Sequence, residues 1–515
     1  MNMRCNRWWI LWVAGFGVLT LIYLHVFVME PVNSDTANAL LAAQDIAAGN
    51  WRLHGWFMAP DNYLGLDEAL YALIWSLTGK AFLTLRLVPA IQWAGLMVLA
   101  CYLGMRAEAP LQSLAILAAL LVVPVFTPFT AHVYFQAPFH IPTTICMLLT
   151  VMLCDRLLKA GRLEWKWAGP LALITVNAAF SDPFFQFTLT FPLLFALWGS
   201  RAAVYQRIAL LYLLCVACGM LLVHLNAATG GFTLPYTNLP RLAAVQYIAL
   251  EIKGTTLMWL GLLGCIPFEQ PFWLAIYAVM RAVLILFLFY RALRLVRRIH
   301  ALEFIDLCLL LIIGGNIGEL IFTKSISFLL TQRFLLPAWV CCAILAAKLA
   351  RKDKVVAGYC VILASLAFAV CLVNLARAPG ASIRFSPGET SYITALEAKG
   401  LFHGYAEYWQ ASDTTVATNR KIDIAAIHLV KDRKLEAYDW FAKQSWYDGG
   451  TANRPFFVSV SGNLLRLQPG AVFTTFGKPD EIFTTPGAAY FPGSDQGDLI
   501  TYVYNRPQPA LGLSK

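Results

Sequence analysis

The sequence predicts an α-helical polytopic membrane protein with a small extracytoplasmic α+β domain at its C-terminal end. Three observations indicate this fold class. Of the 515 residues, 59% are hydrophobic and only 13% are charged, whereas about a quarter of the residues of a soluble domain are charged. Long apolar runs recur throughout residues 1–376. Residues 377–515 instead combine mixed charge, frequent Gly and Pro, and short alternating runs.

Apolar runs of about 18 to 22 residues, long enough to cross a bilayer as helices, predict about eleven spans. We place them at approximately 8–29, 84–105, 109–127, 138–154, 167–181, 183–199, 207–225, 271–290, 304–323, 333–349 and 355–375. No small-residue cleavage pattern follows the first run, so we expect an uncleaved span rather than a signal peptide.

Positive charge predicts the orientation, because Lys and Arg collect in cytoplasmic loops. Alternate loops between the predicted spans carry these residues, all on one side: Arg4, Arg7, Arg106, Arg156, Lys159, Arg162, Lys166, Arg201, Arg207, Arg291, Arg294, Arg297, Arg298, Arg351, Lys352 and Lys354. The N-terminus is therefore predicted to be cytoplasmic, and an odd number of spans places the tail outside. Because loop charge has this topological cause, the net charge of +10 says little about ligands.

Three longer segments fall on the outer side: 30–83, about 226–270, and the tail 377–515. In the tail, "KIDIAAIHLV", "PFFVSVSG" and "LITYVYN" have the alternation of strands. "TSYITALEAKG" and "LEAYDWFAKQSW" have the pattern of helices. We therefore predict two domains, a membrane domain over 1–376 and an α+β domain over 377–515.

The first outer segment opens with "NSDTANALLAAQDIAAGNW", which predicts a short helix that lies along the membrane surface. Asn33 or Ser34 can cap its start and Gly49 can end it. Asp35 then lies in the first turn, and Asp45 lies near the far end, where we expect a solvated side chain. "NYLGLDEALYALIWSLTGK" predicts a second interfacial helix, since it is short for a span.

These residues resemble a known group of membrane enzymes. An acid just after the first span, a helix ending in "AGNW", a helix ending in "LTG", and "LRLVPAIQWAGLMVLACYLG" are similar to the first loop and second span of the GT-C membrane glycosyltransferases. "QRFLLPAWVCCAILAAKLA" resembles the Arg-Tyr-x-x-Pro span start of that superfamily, with Phe334 in place of Tyr. The nearest branches are the lipid A aminoarabinose transferases and the protein O-mannosyltransferases.

The resemblance implies an enzyme that transfers a sugar from a polyprenyl-phosphate carrier to an envelope acceptor at the outer face of the bacterial inner membrane. A sugar hydroxyl needs a base to remove its proton as the new bond forms. By family position, Asp35 is the candidate base. The alternative is that Asp35 only stabilises the helix N-terminus through the macrodipole.

A lipid phosphate leaving group requires Arg or Lys donors. The candidates on the predicted outer side are Arg333, Arg86, Lys80 and Arg52, with Arg241, Lys253 and Lys324 in addition. Arg333 is preferred because it opens the RFLLP stretch. The alternative for each is a side chain that snorkels to the interface from the end of a span.

The sequence departs from the aminoarabinose branch in the first loop. That branch has Lys-Pro-Pro-Leu where this chain has Leu66, Asp67 and Glu68, so its phosphate-binding lysine has no counterpart. Asp67 and Glu68 are candidates for binding a sugar or a divalent cation, or for capping a helix. His140 and Asp182 are further candidates for contact with sugar or acceptor, against a default of capping and interfacial hydrogen bonds.

Two other functions stay open at this point. A lipid-linked saccharide flippase would need polar groups along a path through the spans, and Arg281, Asn316 and Glu319 are the hints of one, unless they pair with one another. A non-catalytic envelope assembly protein is the third hypothesis. No metal-ligand set and no Gly-rich nucleotide loop stands out, so we do not expect a nucleotide-sugar donor, and the need for a divalent cation stays open. Nucleic acid is not an expected partner, and the oligomeric state is open.

Overall fold

This computed structural model of the chain describes residues 5–26, 32–105, 110–122, 140–198, 203–234, 242–262, 265, 272–296, 302–323, 333–349, 354–377, 387–430, 434–449, 454–461, 469–487 and 497–511. The chain forms two compact units. The first unit comprises Met1–Phe27, Pro89–Val223 and Asn238–Gly380, and the second comprises Val28–Val88, His224–Thr237 and Ala381–Lys515. The first outer segment and the tail thus belong to one unit, a grouping that differs from the predicted division after residue 376.

The secondary structure is mainly helical. The α-helices are α1 Cys5–Val26, α2 Ser34–Ala47, α3 Ala69–Thr78, α4 Ala81–Gly104, α5 Pro110–Leu117, α6 Ile141–Ala160, α7 Trp165–Ser181, α8 Pro183–Trp198, α9 Ala203–Ala228, α10 Ile248–Leu262, α11 Phe272–Val296, α12 Phe304–Phe322, α13 Leu336–Leu349, α14 Lys354–Arg377, α15 Pro387–Ala398, α16 Tyr408–Ala417 and α17 Pro469–Phe476. The strands are β1 Trp56–Phe57, β2 His403–Glu407, β3 Asp423–Leu429, β4 Leu435–Ala437, β5 Ala442–Lys443, β6 Phe456–Ser461, β7 Glu481–Thr485 and β8 Leu499–Tyr504.

Helices suited to a membrane belong to the first unit or extend into it. Among the described residues, α4, α6, α9 and α12 are long and apolar enough to cross a bilayer, judged by length and composition. Five shorter apolar stretches accompany them: Leu11–His25, Pro110–Leu121, Pro183–Trp198, Ala275–Phe287 and Lys354–Ala369. The count of eleven spans stays a prediction. Helix α10 lies within the predicted outer loop 226–270, and the sequence analysis did not predict it.

Close helix packing in the first unit depends on a small residue. Gly219 of α9 lies against α7, where a Cβ at this position would stand 2.6 Å from the carbonyl oxygen of Val176. Only glycine allows the two backbones to approach so closely, as is common between helices in membranes. Elsewhere in this unit α12 packs against α8 and α13, and α6 packs against α7.

In the second unit the predicted cap of α2 is confirmed. Asn33 has extended backbone angles, and its side-chain oxygen accepts from the backbone N–H of Thr36 at 3.0 Å. A π-helical turn, Leu64–Glu68, leads into α3, and α3 ends at Gly79 in the left-handed conformation. Helix α2 packs against α3 and against α16 of the tail, so most of its residues from Ser34 to Ala43 are buried.

The tail contains a six-stranded mixed sheet in the order β4-β3-β2-β6-β8-β7. Strand β2 pairs in parallel with β3 and β6, and the other pairs are antiparallel. Two apolar clusters include residues of its strands, one containing Tyr405 and Phe456 and the other Tyr392 and Phe457. The strand predictions at "KIDIAAIHLV", "PFFVSVSG" and "LITYVYN" are confirmed by β3, β6 and β8, and α15 confirms the helix at "TSYITALEAKG".

The helix predicted at "LEAYDWFAKQSW" is wrong. Leu435–Ala437 is a strand that pairs with β3, Ala442–Lys443 is a strand that pairs with β1 of the first outer segment, and Gln444–Trp446 is a single 3₁₀ turn. Phe441 between the strands has φ of +50°, which a helix does not allow. Pairing with distant strands has overridden the local helical preference of this stretch.

Candidate functional site

Asp35, the candidate base, lies in the first turn of α2 and is partly exposed. The hydroxyl of Tyr408, the first residue of α16, donates a hydrogen bond to its Oδ1. Burial, followed by the nearby charge of Asp35, raises the pKa of Tyr408 well above its usual value. The phenol therefore stays protonated and donates to the carboxylate.

A second side-chain contact between the same two helices lies next to this pair. Ser412 of α16 donates to Oδ1 of Asn38 at 2.6 Å, and both residues are buried. Asn38 in turn donates to the hydroxyl of Tyr408 at 3.4 Å. These bonds fix the rotation of α2 about its axis and with it the direction of the Asp35 side chain.

Asp45, at the other end of α2, is only 13% exposed and is ion-paired, so the prediction of a solvated side chain is wrong. Its Oδ2 accepts from Lys443 Nζ at 2.5 Å, from the indole N–H of Trp56 at 2.9 Å and from Asn50 at 3.3 Å. Burial works to raise the pKa of Asp45, but the hydrogen bonds from Lys443 and Trp56 outweigh it and hold the pKa below the usual value. The sequence could not reveal this role because Lys443 lies in the tail.

Asp67 and Glu68 end the π-helical turn, and both side chains are fully buried. Neither carboxyl oxygen of Glu68 has a hydrogen-bond partner among the described residues. Burial, with the neighbouring charge of Asp67, raises the pKa of Glu68 well above its usual value. Glu68 is the residue before α3 but makes no side-chain cap. The capping alternative is therefore wrong for Glu68, whose carboxyl is instead a buried group with a raised pKa.

Three candidate phosphate-binding cations, Arg52, Lys80 and Arg86, differ in their surroundings. Arg52 donates to the side chain and carbonyl of Asn226, at 3.2 and 3.0 Å, and to Thr229. These bonds use Nε and Nη2, so Arg52 could bind a phosphate only through Nη1 unless they break. Lys80 is exposed just after α3, and Arg86 is partly buried in the second turn of α4. The phosphate-binding roles of all three residues stay predictions.

In the first unit, His140 and Asp182 lie together. His140 Nδ1 is 2.6 Å from Asp182 Oδ2, and both side chains are at most 1% exposed. Thr143 Oγ1 donates to the same oxygen at 2.5 Å, and the backbone N–H of Phe184 donates to Oδ1 at 2.9 Å. Nothing in the sequence signalled this pair, because 42 residues separate its members.

The rings around His140 come from two further elements. The imidazole lies 4.5 Å from the ring of Phe184 and 5.0 Å from that of Phe334. The guanidinium of Arg333 lies 5.3 Å from the centroid of the same Phe334 ring. The departure from the Arg-Tyr-x-x-Pro pattern at Phe334 thus lies at a packed position, between a cation and a buried histidine.

Arg281, Asn316 and Glu319 do not form the mutual pairs that the sequence suggested. Arg281 donates to the hydroxyl of Tyr277 at 2.8 Å and to the carbonyl of Leu120 at 3.1 Å. The side-chain amide of Asn316 is buried without a hydrogen-bond partner among the described residues. Glu319 instead interacts electrostatically with His140 and Asp182.

The candidate residues therefore fall into groups that belong to separate units. Asp35, Asp67, Glu68, Arg52, Lys80 and Arg86 belong to the second unit, and His140, Asp182 and Arg333 belong to the first. Within the described part of the chain, no three His, Cys, Asp or Glu side chains are placed to hold a metal ion. Arg241 and Lys324 lie outside the described residues, and Lys253 lies in α10.

Comparison with solved structures identifies the fold. The chain is similar to the crystal structure of ArnT from Cupriavidus metallidurans bound to undecaprenyl phosphate, with a TM-score of 0.50 and 12% sequence identity. The similarity covers 96% of this chain and 97% of that one. No family model matches the sequence, and no curated protein matches it. The fold is GT-C-like, as the sequence resemblance implied.

Proposed function

We propose that this protein is a GT-C-type glycosyltransferase that moves a sugar from a polyprenyl-phosphate-linked donor to an envelope glycolipid, polysaccharide or protein at the outer face of the bacterial inner membrane. The observation that carries the proposal is the placement of Asp35. In a GT-C-like chain, this acid lies partly exposed at the start of a helix whose other residues up to Ala43 are buried, and its direction is fixed by Tyr408.

In this reaction Asp35 is the general base. It removes the proton from the acceptor hydroxyl as the oxygen attacks the anomeric carbon of the donor sugar. The new C–O bond forms while the bond from the anomeric carbon to the phosphate oxygen breaks, and polyprenyl phosphate leaves. Base assistance of this kind contributes a factor of about 10² to 10⁴ in rate. Tyr408 acts as a positioning residue, since its hydrogen bond fixes one oxygen of the Asp35 carboxylate.

The leaving phosphate requires positive charge. Arg86 and Arg333 are the proposed donors, because a guanidinium can bind two phosphate oxygens at once. Undecaprenyl phosphate, the lipid bound in the similar structure, is the natural probe. Arg86→Ala and Arg333→Ala should each weaken its binding about tenfold, whereas Arg162→Ala, at an exposed pair with Glu164, should not. Equal binding by all three variants would contradict the assignment.

The decisive test is donor consumption by the full-length protein in liposomes. Wild type, Asp35→Asn and the exposed control Asp498→Asn are supplied with polyprenyl-phosphate-linked sugars and envelope extract, and mass spectrometry follows loss of the donor. Asparagine keeps an acceptor for the Tyr408 hydroxyl, so the Asn variant should fold and lose at least a hundredfold in rate.

Three results would overturn the proposal. If the Asp35→Asn variant consumes the donor at the wild-type rate, Asp35 is not the base. If the wild type consumes no donor while the lipid-linked sugar crosses the liposome bilayer, the protein is a flippase, and if neither event occurs the non-catalytic assembly function takes precedence.

A further inference from the structure

A cavity of about 430 Å³ lies in the second unit, a size typical of ligand sites. It lies where β2 and β3 begin, since His403 is the register partner of Asp423, and Arg454 lies two residues before β6. We call this cavity the tail pocket and define it by His403, Arg420, Asp423, Trp446, Arg454 and Gln508. No candidate residue of the proposed transfer reaction lines it.

The charges of the tail pocket are mainly positive. Arg420 and Arg454 are its permanent cations and Asp423 is its acid. Arg420 Nε lies 4.0 Å from Asp423 Oδ1, which is too long for a hydrogen bond. Arg454 is exposed and forms no ion pair with any described residue. One positive charge is therefore left without an opposite charge, and this favours an anionic ligand.

The backbone at Arg420 has an uncommon conformation. Arg420 has φ of +63°, and Asn419 before it has φ of +51°. Left-handed backbone is uncommon for residues other than glycine, and it is found often at functional sites. The strain is maintained by the backbone N–H of Arg420, which donates to the carbonyl of Thr415 at 2.8 Å.

The wall of the tail pocket includes an aromatic ring. Trp446 is partly buried and meets Trp56 edge-on, with 5.3 Å between ring centroids, so its orientation is fixed. Beside it, Gly449 has φ of +81°, and a Cβ there would stand 2.9 Å from the backbone nitrogen of Ala510. Glycine thus lets the C-terminal segment that carries Gln508 pass close by. A fixed apolar ring with amide and guanidinium donors suits a hydroxylated ring compound.

We propose that the tail pocket binds an anionic saccharide, a sugar ring that carries a carboxylate or a phosphate. Arg454 and Arg420 bind the anionic group, the indole of Trp446 contacts the apolar face of the ring, and Gln508 and His403 bind hydroxyls. Saccharide binding is independent of the transfer chemistry. Identification of this saccharide as part of the acceptor rests on the proposed function.

Binding is tested on the full-length protein in nanodiscs by saturation-transfer NMR titration. The probes are glucuronic acid, glucose 6-phosphate, glucose and inorganic phosphate. At least one of the two anionic sugars should bind tenfold or more tightly than glucose and than inorganic phosphate, and the tighter of the two identifies the anion. Equal binding of glucose would overturn the anionic assignment. Equal binding of inorganic phosphate would overturn the saccharide assignment.

Variants connect the binding to the tail pocket. Arg454→Ala should weaken binding of the preferred sugar at least tenfold, and Trp446→Leu should weaken it for glucose and the anionic sugar alike. Lys434→Ala removes a charge from an exposed position outside the pocket and should leave binding unchanged. If Arg454→Ala binds like the wild type, the pocket assignment fails.

The two proposals fail in distinguishable ways. Asp35→Asn should retain saccharide binding while it loses donor consumption. If every pocket variant binds the saccharide like the wild type while Asp35→Asn loses donor consumption, only the tail pocket proposal is overturned. If the wild type binds the saccharide but consumes no donor, only the proposed transferase function is overturned.

Discussion

Each end of α2 carries an aspartate, and the two aspartates accept hydrogen bonds from different kinds of residue in the tail. Asp45 faces an ammonium group, Lys443, and accepts two further hydrogen bonds. Asp35 accepts a hydrogen bond from a tyrosine that stays neutral. Ion pairing stabilises the charged form and makes a carboxylate a poor proton acceptor. One end of the helix is therefore suited to holding the second unit together, and the other is suited to chemistry.

The largest expected effect is on kcat, and it should distinguish Asp35 from Asp45. Asp35→Asn should lower kcat about 10² to 10⁴-fold with little change in melting temperature, because only the base is lost. Asp45→Asn should leave kcat within about threefold of the wild type, a change of less than 1 kcal/mol. The kcat of each variant is measured from donor consumption in liposomes. Equal losses at both ends would contradict the comparison.

The next effect concerns Tyr408. Tyr408→Phe removes the hydroxyl that positions Asp35 and should lower kcat about tenfold while KM changes little, because an interaction that acts in the transition state is lost. Tyr438→Phe, a neighbouring tyrosine whose ring centroid lies 5.2 Å from that of Tyr408, is the matched control and should retain kcat. A change in KM alone would show that the hydroxyl contacts substrate instead.

The predictions from the sequence agree with the structure where neighbouring residues determine the local conformation. The Asn33 cap, the strands in "PFFVSVSG" and "LITYVYN" and the GT-C resemblance of the first loop could be read from neighbouring residues. The roles of Asp45 and Tyr408 could not, because their partners lie 398 and 373 residues away. The pairing of His140 with Asp182 and the strands in "LEAYDWFAKQSW" depend in the same way on contacts that no short window contains.

A smaller effect tests the structural end of α2. Asp45→Asn should destabilise the protein by about 1 to 2 kcal/mol, since Lys443 and Trp56 lose a charged acceptor. The pKa of Asp45 is lowered below the usual 3.8, so its contribution is complete above pH 4 and disappears as the pH falls through the lowered value. Melting curves of wild type and variant in detergent should therefore converge as the pH is lowered further and further below 3.8. A constant gap at every pH would show that charge is not the cause.

The smallest effect at acidic pH is expected at Glu68, a third acid of the same loop with the opposite pKa shift. Its pKa is raised by burial, and then by Asp67, so the protonated carboxyl is isosteric with an amide and Glu68→Gln should leave the melting temperature at pH 4 almost unchanged. As the pH rises above the usual 4.5, the unfolded chain releases the proton and the folded chain does not, so the wild type loses stability that the Gln variant keeps. Melting temperatures between pH 4 and 8 should diverge in that direction. Parallel curves would show that Glu68 is ionised in the folded protein, and a cation bound at Asp67 and Glu68 would then be its most direct explanation.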